Sequence, residues 1–153
     1  MKPMTMHGLA GLFALALSAS TTLEAQARGA AEYHPLPGNR GLPFSEAVRT
    51  GNLLFLSGQL GTDASDKLVP GGIQPETRQA LENIRAVLER HGSSLDRVIK
   101  CTAMLADMKE WASMNEVYVT FFPKHLPARS AFGTTGLALG ARMELECIAT
   151  VGS

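Results

Sequence analysis

The apolar residues between positions 75 and 105 change their spacing once, and this change constrains the fold more than any other feature. They first recur at helical spacing and form one stripe, at Ala80, Leu81, Ile84, Val87 and Leu88. Pro75 suits the first turn of this helix, and Gly92 suits its end. Residues 97–105 then alternate between two faces, which is the period of a β-strand. The pattern predicts a helix packed on a sheet.

The segment before this helix predicts a β-hairpin. Residues 47–49 and 53–58 read as strands, and Thr50–Asn52 supplies the turn between them. Residues 53–56 are apolar at every position, so both faces of this strand are expected to be covered.

The segment after the central strand predicts a second helix and two more strands. Asp107 and Glu110 form a capping box, and the helix ends before Pro123. We interpret its aromatic face as core material, formed by Trp111, Met114, Tyr118, Phe121 and Phe122. Strands over 128–134 and 143–151, joined by a glycine-rich link, complete the order ββ, α, β, α, ββ.

This order predicts an α+β fold, a single mixed β-sheet with two helices packed on one face. We expect about four to six strands, antiparallel where the turns are short, with a crossover at each helix. The other sheet face then lacks a cover within one chain. Self-association is the simplest way to bury it.

The last strand should present different residues to the two faces of the sheet. Met143, Leu145 and Cys147 share an apolar face that should meet the helices, so Glu144 and Glu146 point to the opposite side. An exposed edge is the simpler explanation for two carboxylates there. A site formed between subunits is the alternative.

The first 27 residues have the pattern of a secretory signal peptide. Lys2 precedes an apolar run over 9–17, and Ala25 and Ala27 supply the small residues that a signal peptidase inspects. This run is well short of the ~20 residues that span a bilayer. We therefore expect residues 1–27 to be removed, leaving a periplasmic or secreted protein with no membrane attachment.

Two further regions follow the expected cleavage point. Residues 28–41 contain glycine and proline but no apolar period, so they predict an exposed, flexible N-terminal segment. Residues 42–153 form the one folded domain, since the chain is too short for two ordinary cores.

Charge and motifs exclude several classes of function. The chain has 14 basic and 14 acidic residues, so it is neutral. Basic and acidic residues alternate along the first helix, and basic residues that are not clustered disfavour nucleic-acid binding. It lacks the phosphate-cradling glycine motifs, CxxC, HExxH and GxSxG, so no cofactor is expected. His34, His91 and His125 have no second ligand at metal-binding spacing, so no metal site is expected either.

The two cysteines allow two interpretations. Cys101 and Cys147 lie on strand faces that should both meet the helices, so a disulfide forms only if the strands are neighbours. We expect two buried free thiols and keep the disulfide as the alternative.

Several segments, taken in order, resemble the RidA (YjgF) family. They are PFSEA (43–47), GN (51–52), LSGQ (56–59), QALENI (79–84), VIKCTAMLAD (98–107), PARS (127–130) and ELECIA (144–149). No single segment is specific, but the ordered set covers residues 42–151. The resemblance implies a chorismate-mutase-like fold, a homotrimer and ligand clefts between subunits.

The resemblance also assigns roles to particular residues. Arg129 matches the arginine that grips the substrate carboxylate, for which the planar guanidinium is suited. Glu144 matches the carboxylate that positions the attacking water and exchanges protons with it. The remaining cleft positions match Ser57, Phe44, Ala131 and Asn115. Phe44 stands where relatives usually have tyrosine, and Ala131 where many have cysteine, which leaves substrate identity open.

The implied activity is hydrolytic deamination of 2-imino and 2-enamino acids to 2-keto acids and ammonia, as in a 2-iminobutanoate/2-iminopropanoate deaminase. The expected partners are that small molecule and two further copies of the chain. The alternative is a non-catalytic protein of the same fold that binds small carboxylates or protects other proteins as a chaperone does. A ribonuclease is the weakest hypothesis, because the chain is neutral.

Overall fold

The computed structural model describes residues 30–38 and 41–152, so the predicted signal peptide lies outside the described residues. Within these described residues there are two α-helices, α1 (Ile73–Arg90) and α2 (Trp111–Tyr118). The strands are β1 (Ala31–Pro35), β2 (Ser45–Thr50), β3 (Leu53–Leu56), β4 (Gln59–Leu60), β5 (Val98–Leu105), β6 (Ala128–Gly133) and β7 (Met143–Thr150).

The strands form one sheet of seven in the order β1-β2-β3-β7-β5-β6, and β4 pairs with β7 beyond the end of β3. Among the strands of the described residues only β5 and β6 run parallel, because α2 makes the crossover between them, and the other pairs are antiparallel. The predicted α+β class with a mixed sheet is therefore confirmed. The strand number exceeds the expected range, because β1 and the short β4 were not foreseen.

Both helices pack on one face of the sheet, as predicted. The apolar stripe of α1 is buried, with Ala80, Leu81, Ile84 and Leu88 fully inaccessible to solvent. Met143, Leu145, Cys147 and Ala149 of β7 are buried under the helices, while Glu146 on the opposite face is exposed. No helix among residues 30–38 and 41–152 is long and apolar enough to cross a membrane.

The opposite face of the sheet has no cover among the described residues and carries exposed apolar side chains. Register places Val48, Phe55 and Ile148 side by side across β2, β3 and β7. Phe55 is 40% exposed, and Phe132 on β6 is 47% exposed. Large apolar side chains grouped on one solvent-facing surface are typical of an interaction surface.

Strand β1 corrects the expectation of an irregular N-terminal segment. Residues 31–35 pair with β2 through main-chain hydrogen bonds, although most of their side chains stay exposed. Because an edge strand of this kind buries little apolar surface, its sequence shows no apolar alternation. Main-chain pairing with β2 defines it as a strand.

The last two strands correct a second expectation. Although a short link joins β6 to β7, they are not neighbours, because β5 lies between them. The link therefore crosses one strand instead of forming a hairpin. Its Leu139 has a φ of 59° and is 67% exposed, so this connection uses a backbone conformation that is rare outside glycine.

Two local expectations at the helix and strand starts are met only in part. Asp107 caps the turn before α2, since its Oδ1 accepts from the Lys109 N–H at 2.9 Å. Glu110 does not complete the capping box, because its carboxylate binds the Arg142 guanidinium instead. The predicted alternation of residues 97–105 fails at Ile99, which is 46% exposed, since β5 is irregular between Val98 and Lys100.

The cysteines are joined, which corrects the expectation of two free thiols. Cys101 on β5 and Cys147 on β7 stand directly opposite each other and form a disulfide with an S–S distance of 2.01 Å. Both residues are buried against the helices. The sequence left this disulfide open because it did not show whether the two strands are neighbours in the sheet.

Candidate active site

Glu144 lies near the start of β7, on the sheet face away from the helices. Its main chain pairs with Leu60 of β4 on one side and with Met104 of β5 on the other. The side chain packs on Gly58, where the missing Cβ leaves room for the carboxyl group. Glu144 is half-buried, whereas its neighbour Glu146 on the same face is exposed.

The environment of Glu144 raises the pKa of its carboxyl group. Burial is the larger cause, because it disfavours the charged form, and the negative charge of Glu146 adds to it. A carboxyl group with a raised pKa exchanges protons more readily near neutral pH than an ordinary glutamate does.

Ser57 and Phe44 lie at the open end of the predicted hairpin, and Ser57 directly precedes Gly58, on which the Glu144 side chain packs. The Ser57 hydroxyl donates to the Ser45 carbonyl at 2.6 Å, and the Ser57 N–H donates to the Glu46 carbonyl at 3.0 Å. Phe44 directly precedes β2 and is 50% exposed. We call Glu144, Ser57 and Phe44 the glutamate cluster.

Arg129 lies on β6, on the face that carries the helices. Its guanidinium sits over the Tyr118 ring at 4.5 Å and the Trp111 ring at 5.8 Å, measured to the ring centroids. Nη1 lies 3.8 Å from the Met114 sulfur. Among the described residues no carboxylate forms an ion pair with Arg129. Its charge is therefore available to an anionic ligand.

Asn115 and Ala131 accompany Arg129. Asn115 lies on α2 between the residues that contact Arg129, and its Oδ1 is buried without a hydrogen-bond partner in the described part of the chain. Ala131 lies two residues after Arg129 on the same face of β6, opposite Ala103. We call Arg129, Asn115 and Ala131 the arginine cluster.

The fold keeps the two clusters apart within one chain. Arg129 pairs with Cys101 on β5, and Glu144 pairs with Met104 on the other side of that strand. This register separates them by about 10 Å along β5 and by two strand spacings of ~4.8 Å across it. Their side chains also point to opposite faces. One chain therefore does not bring both side chains to one small ligand.

The predicted residues thus fall into two clusters, one named after Glu144 and one after Arg129. The sequence did not reveal the aromatic support of Arg129, because Trp111 and Tyr118 were interpreted as core. The exposure of Trp111, at 42%, separates it from the core. No group of three His, Cys, Asp or Glu side chains that could hold a metal ion occurs within residues 30–38 and 41–152.

Comparison with known proteins identifies the family. The profile described as Endoribonuclease L-PSP matches residues 39–151. Mouse 2-iminobutanoate/2-iminopropanoate deaminase is 42% identical over 111 residues, which are 72% of this chain and 82% of the mouse protein. The chain therefore belongs to the RidA (YjgF) family, as the ordered motifs predicted.

Solved structures agree with this assignment. RidA from an Antarctic Psychrobacter matches with a TM-score of 0.70 and 34% identity, over 78% of this chain and 94% of that one. Escherichia coli TdcF with bound serine matches with a TM-score of 0.69 and 31% identity, over 79% of this chain and 97% of that one. The predicted fold is confirmed by both.

Proposed function

We propose that the protein hydrolyses 2-imino acids and their 2-enamino tautomers to 2-keto acids and ammonia, in a cleft between two copies of the chain. The observation that carries this proposal is the separation of an unpaired Arg129 from a half-buried Glu144. The name of the mouse relative, a 2-iminobutanoate/2-iminopropanoate deaminase, supports the substrate class.

Arg129 binds the substrate carboxylate in this mechanism. The guanidinium offers two parallel N–H donors to the two carboxylate oxygens, which fixes the plane of the adjacent C2 atom. Its donors are not occupied by an ion pair within the described residues. The backbone at Ala131 and the side chain of Asn115 line the same side of the cleft.

Glu144 of the neighbouring copy performs the proton transfers. As a carboxylate it takes a proton from water while the water oxygen bonds to C2 of the protonated imine, which gives a neutral tetrahedral amino alcohol. It then returns this proton to the nitrogen, the C–N bond breaks as C2 becomes a carbonyl, and the departing ammonia takes the hydroxyl proton and leaves as ammonium. Ser57 and Phe44 line the cleft beside it, and no cofactor or covalent intermediate is needed.

A homotrimer completes three equivalent clefts in this proposal. The uncovered sheet face with Phe55 and Phe132 supplies apolar surface for the assembly. In a closed ring the arginine cluster of each copy lines a cleft with one neighbour, and its glutamate cluster lines a cleft with the other neighbour. This arrangement accounts for the distance between the two clusters in one chain.

We also propose that the protein acts in the periplasm or outside the cell. The N-terminal signal-peptide pattern supports this location. The buried Cys101–Cys147 disulfide supports it as well, because such bonds persist mainly in oxidising compartments. An amino-acid oxidase or dehydrogenase in the same compartment is the class of enzyme that supplies imino acids there.

Ammonia release from an imino acid, generated in situ by an amino-acid oxidase, tests the proposal. Wild type should accelerate release, and Arg129→Ala and Glu144→Ala should each lose the acceleration. Arg78→Ala and Glu89→Ala are matched controls, because both side chains are exposed on α1. Binding of a 2-keto acid without any turnover by wild type would instead identify a carrier of small carboxylates and overturn the proposal.

A further inference from the structure

Arg129 rests on a support built from one face of α2. Trp111, Met114 and Tyr118 recur at helical spacing, and the Arg129 guanidinium interacts with all three. Both ring centroids lie within the ~6 Å at which a cation and an aromatic face attract. We call the Trp111 and Tyr118 rings the aromatic shelf.

Tyr118 provides the better-placed ring of this shelf. It is only 2% exposed, and its hydroxyl has no hydrogen-bond partner in the described part of the chain. Burial raises the pKa of Tyr118 to about 12, although the Arg129 charge opposes this. The hydroxyl is therefore neutral, and the contact with Arg129 is made by the ring face.

The shelf limits the freedom of a long side chain that has no anionic partner. An arginine loses considerable rotamer entropy when a ligand fixes it, and this loss weakens binding. A guanidinium already held over a ring loses less on binding. The ring interacts with the charge of the guanidinium, and among the described residues only Nη1 has a donor contact, with the Met114 sulfur, so the other N–H groups can bind a carboxylate.

We propose that Tyr118, assisted by Trp111, is a positioning residue that preorganises Arg129 for carboxylate binding. The proposal rests on the proposed function, since it takes Arg129 as the group that binds the substrate carboxylate. It adds a role for two residues that contact neither the reacting carbon nor the water.

Trp111 itself supplies a direct probe of ligand binding. It is the single tryptophan of the chain, and its ring lies 5.8 Å from the Arg129 guanidinium carbon. Titration of the intact assembled protein with 2-oxobutanoate should change the Trp111 fluorescence and yield a dissociation constant. This measurement does not depend on turnover.

Three variants separate the ring from the hydroxyl. Tyr118→Leu removes the ring and should weaken 2-oxobutanoate binding roughly three- to tenfold, the range expected for one cation–π contact. Tyr118→Phe keeps the ring and should bind within about twofold of wild type. Trp111→Leu, at a partly exposed position, should raise the KM for the imino acid by a smaller factor than Tyr118→Leu, because its ring is farther away.

The kinetic constants provide a second readout. Because the shelf acts through binding, Tyr118→Leu should raise the KM for the imino acid while kcat changes by less than about twofold. Phe121→Leu is the matched control, since Phe121 is a buried ring under a different guanidinium, that of Arg85 at 5.1 Å. It removes similar core volume and should leave KM unchanged.

The outcomes separate the two proposals. If Arg129→Ala binds 2-oxobutanoate as tightly as wild type, the carboxylate role of Arg129 and the proposed function fail. If Arg129→Ala loses binding, but Tyr118→Leu binds as tightly as wild type and Trp111→Leu keeps the wild-type KM, only the shelf is overturned. Loss of binding in Tyr118→Phe would also overturn it, because the hydroxyl would then contact the ligand directly.

Discussion

The carboxyl group of Glu144 occupies the space that a side chain at Gly58 would fill. A Cβ atom at Gly58 would overlap Glu144 Oε1 and lie 2.8 Å from its Cδ. The two residues are brought together because β4, which begins immediately after Gly58, pairs with β7 at Glu144. Gly58 thus fixes the place of the proposed proton-transfer group.

Gly58→Ala should therefore abolish most of the deaminase activity without unfolding the protein. The added methyl group meets only the flexible end of Glu144, so the carboxyl group is displaced and the backbone is not. We expect at least a ~100-fold loss of kcat, within the range that a positioned acid or base contributes. Ammonia release and thermal unfolding of the same preparation check this.

Gly61→Ala is the matched comparison. Its Cβ would stand 2.5 Å from the main-chain oxygen and Cα of Glu76, which cannot move without shifting α1. Here the expected effect is on stability, a loss of roughly 1–3 kcal/mol in the free energy of unfolding. A Gly58→Ala protein that unfolds as readily as Gly61→Ala would count against the account of Gly58.

Glu146→Gln should shift the pH dependence of the reaction. Burial raises the pKa of Glu144 and so does the Glu146 charge, so removal of that charge lowers the pKa only in part. Because Glu144 accepts a proton from water as a carboxylate, the acidic limb of the kcat/KM profile should move to lower pH. Glu89→Gln, far along α1, should leave the limb in place, and an unmoved limb in Glu146→Gln would contradict the coupling.

Sequence periodicity was sufficient for the core of the fold and insufficient for its edges. The α1 stripe and the alternation of β7 fix which residues are buried, and the structure confirms both. Strand β1 could not be found in this way, because backbone pairing and not side-chain burial defines it. The position of β5 between β6 and β7 depends on the pairing of the whole sheet. The length of the link between β6 and β7 does not predict this pairing.

The site shows the same division. Motif order placed Arg129 and Glu144 in the right elements, and strand parity placed Glu144 on the uncovered face. The alternation of side chains along β6 could not by itself show that Arg129 points to the face that carries the helices, since this depends on which strand is the neighbour of β6. The aromatic shelf was missed because burial of Tyr118 fits a core residue equally well.

The disulfide should contribute to stability and not to catalysis. It links residues 46 positions apart and ties β5, next to the arginine strand, to the strand of Glu144. Replacing both Cys101 and Cys147 by alanine should lower the free energy of unfolding by about 2–4 kcal/mol, mainly by freeing the unfolded chain. Chemical denaturation with and without reductant measures this, and activity at 25 °C should persist.

Reductant is the internal control for that prediction. It should destabilise the wild-type protein, in which the bond exists, and leave the double alanine variant unchanged. Equal responses of the two proteins would show that the bond does not form in solution. A large loss of kcat in the folded double variant would show that the bond positions the site.

The cluster around Glu46 should make stability depend on pH in the acidic range. Glu46 is 5% exposed and accepts from Arg90 and from His91 Nε2 at 2.9 Å, and the His91 ring lies 4.3 Å from the His34 ring of β1. Burial alone would raise the pKa of Glu46, but the hydrogen bonds and charges of Arg90 and His91 outweigh it and lower the pKa below 4.5.

A lowered pKa sets the sign of the effect. The stabilisation from ionised Glu46 is complete above the pKa of the unfolded chain, near 4.5, and is lost as pH falls through the lower folded value. Glu46→Gln should lower the free energy of unfolding at pH 7 by roughly 1–3 kcal/mol, as for a hydrogen-bonded charged group. Below pH 4.5 the difference between wild type and variant should shrink. Denaturant titrations across this range measure the free energy of unfolding of wild type and Glu46→Gln as a function of pH. Parallel curves for the two proteins would show that Glu46 is not the titrating group.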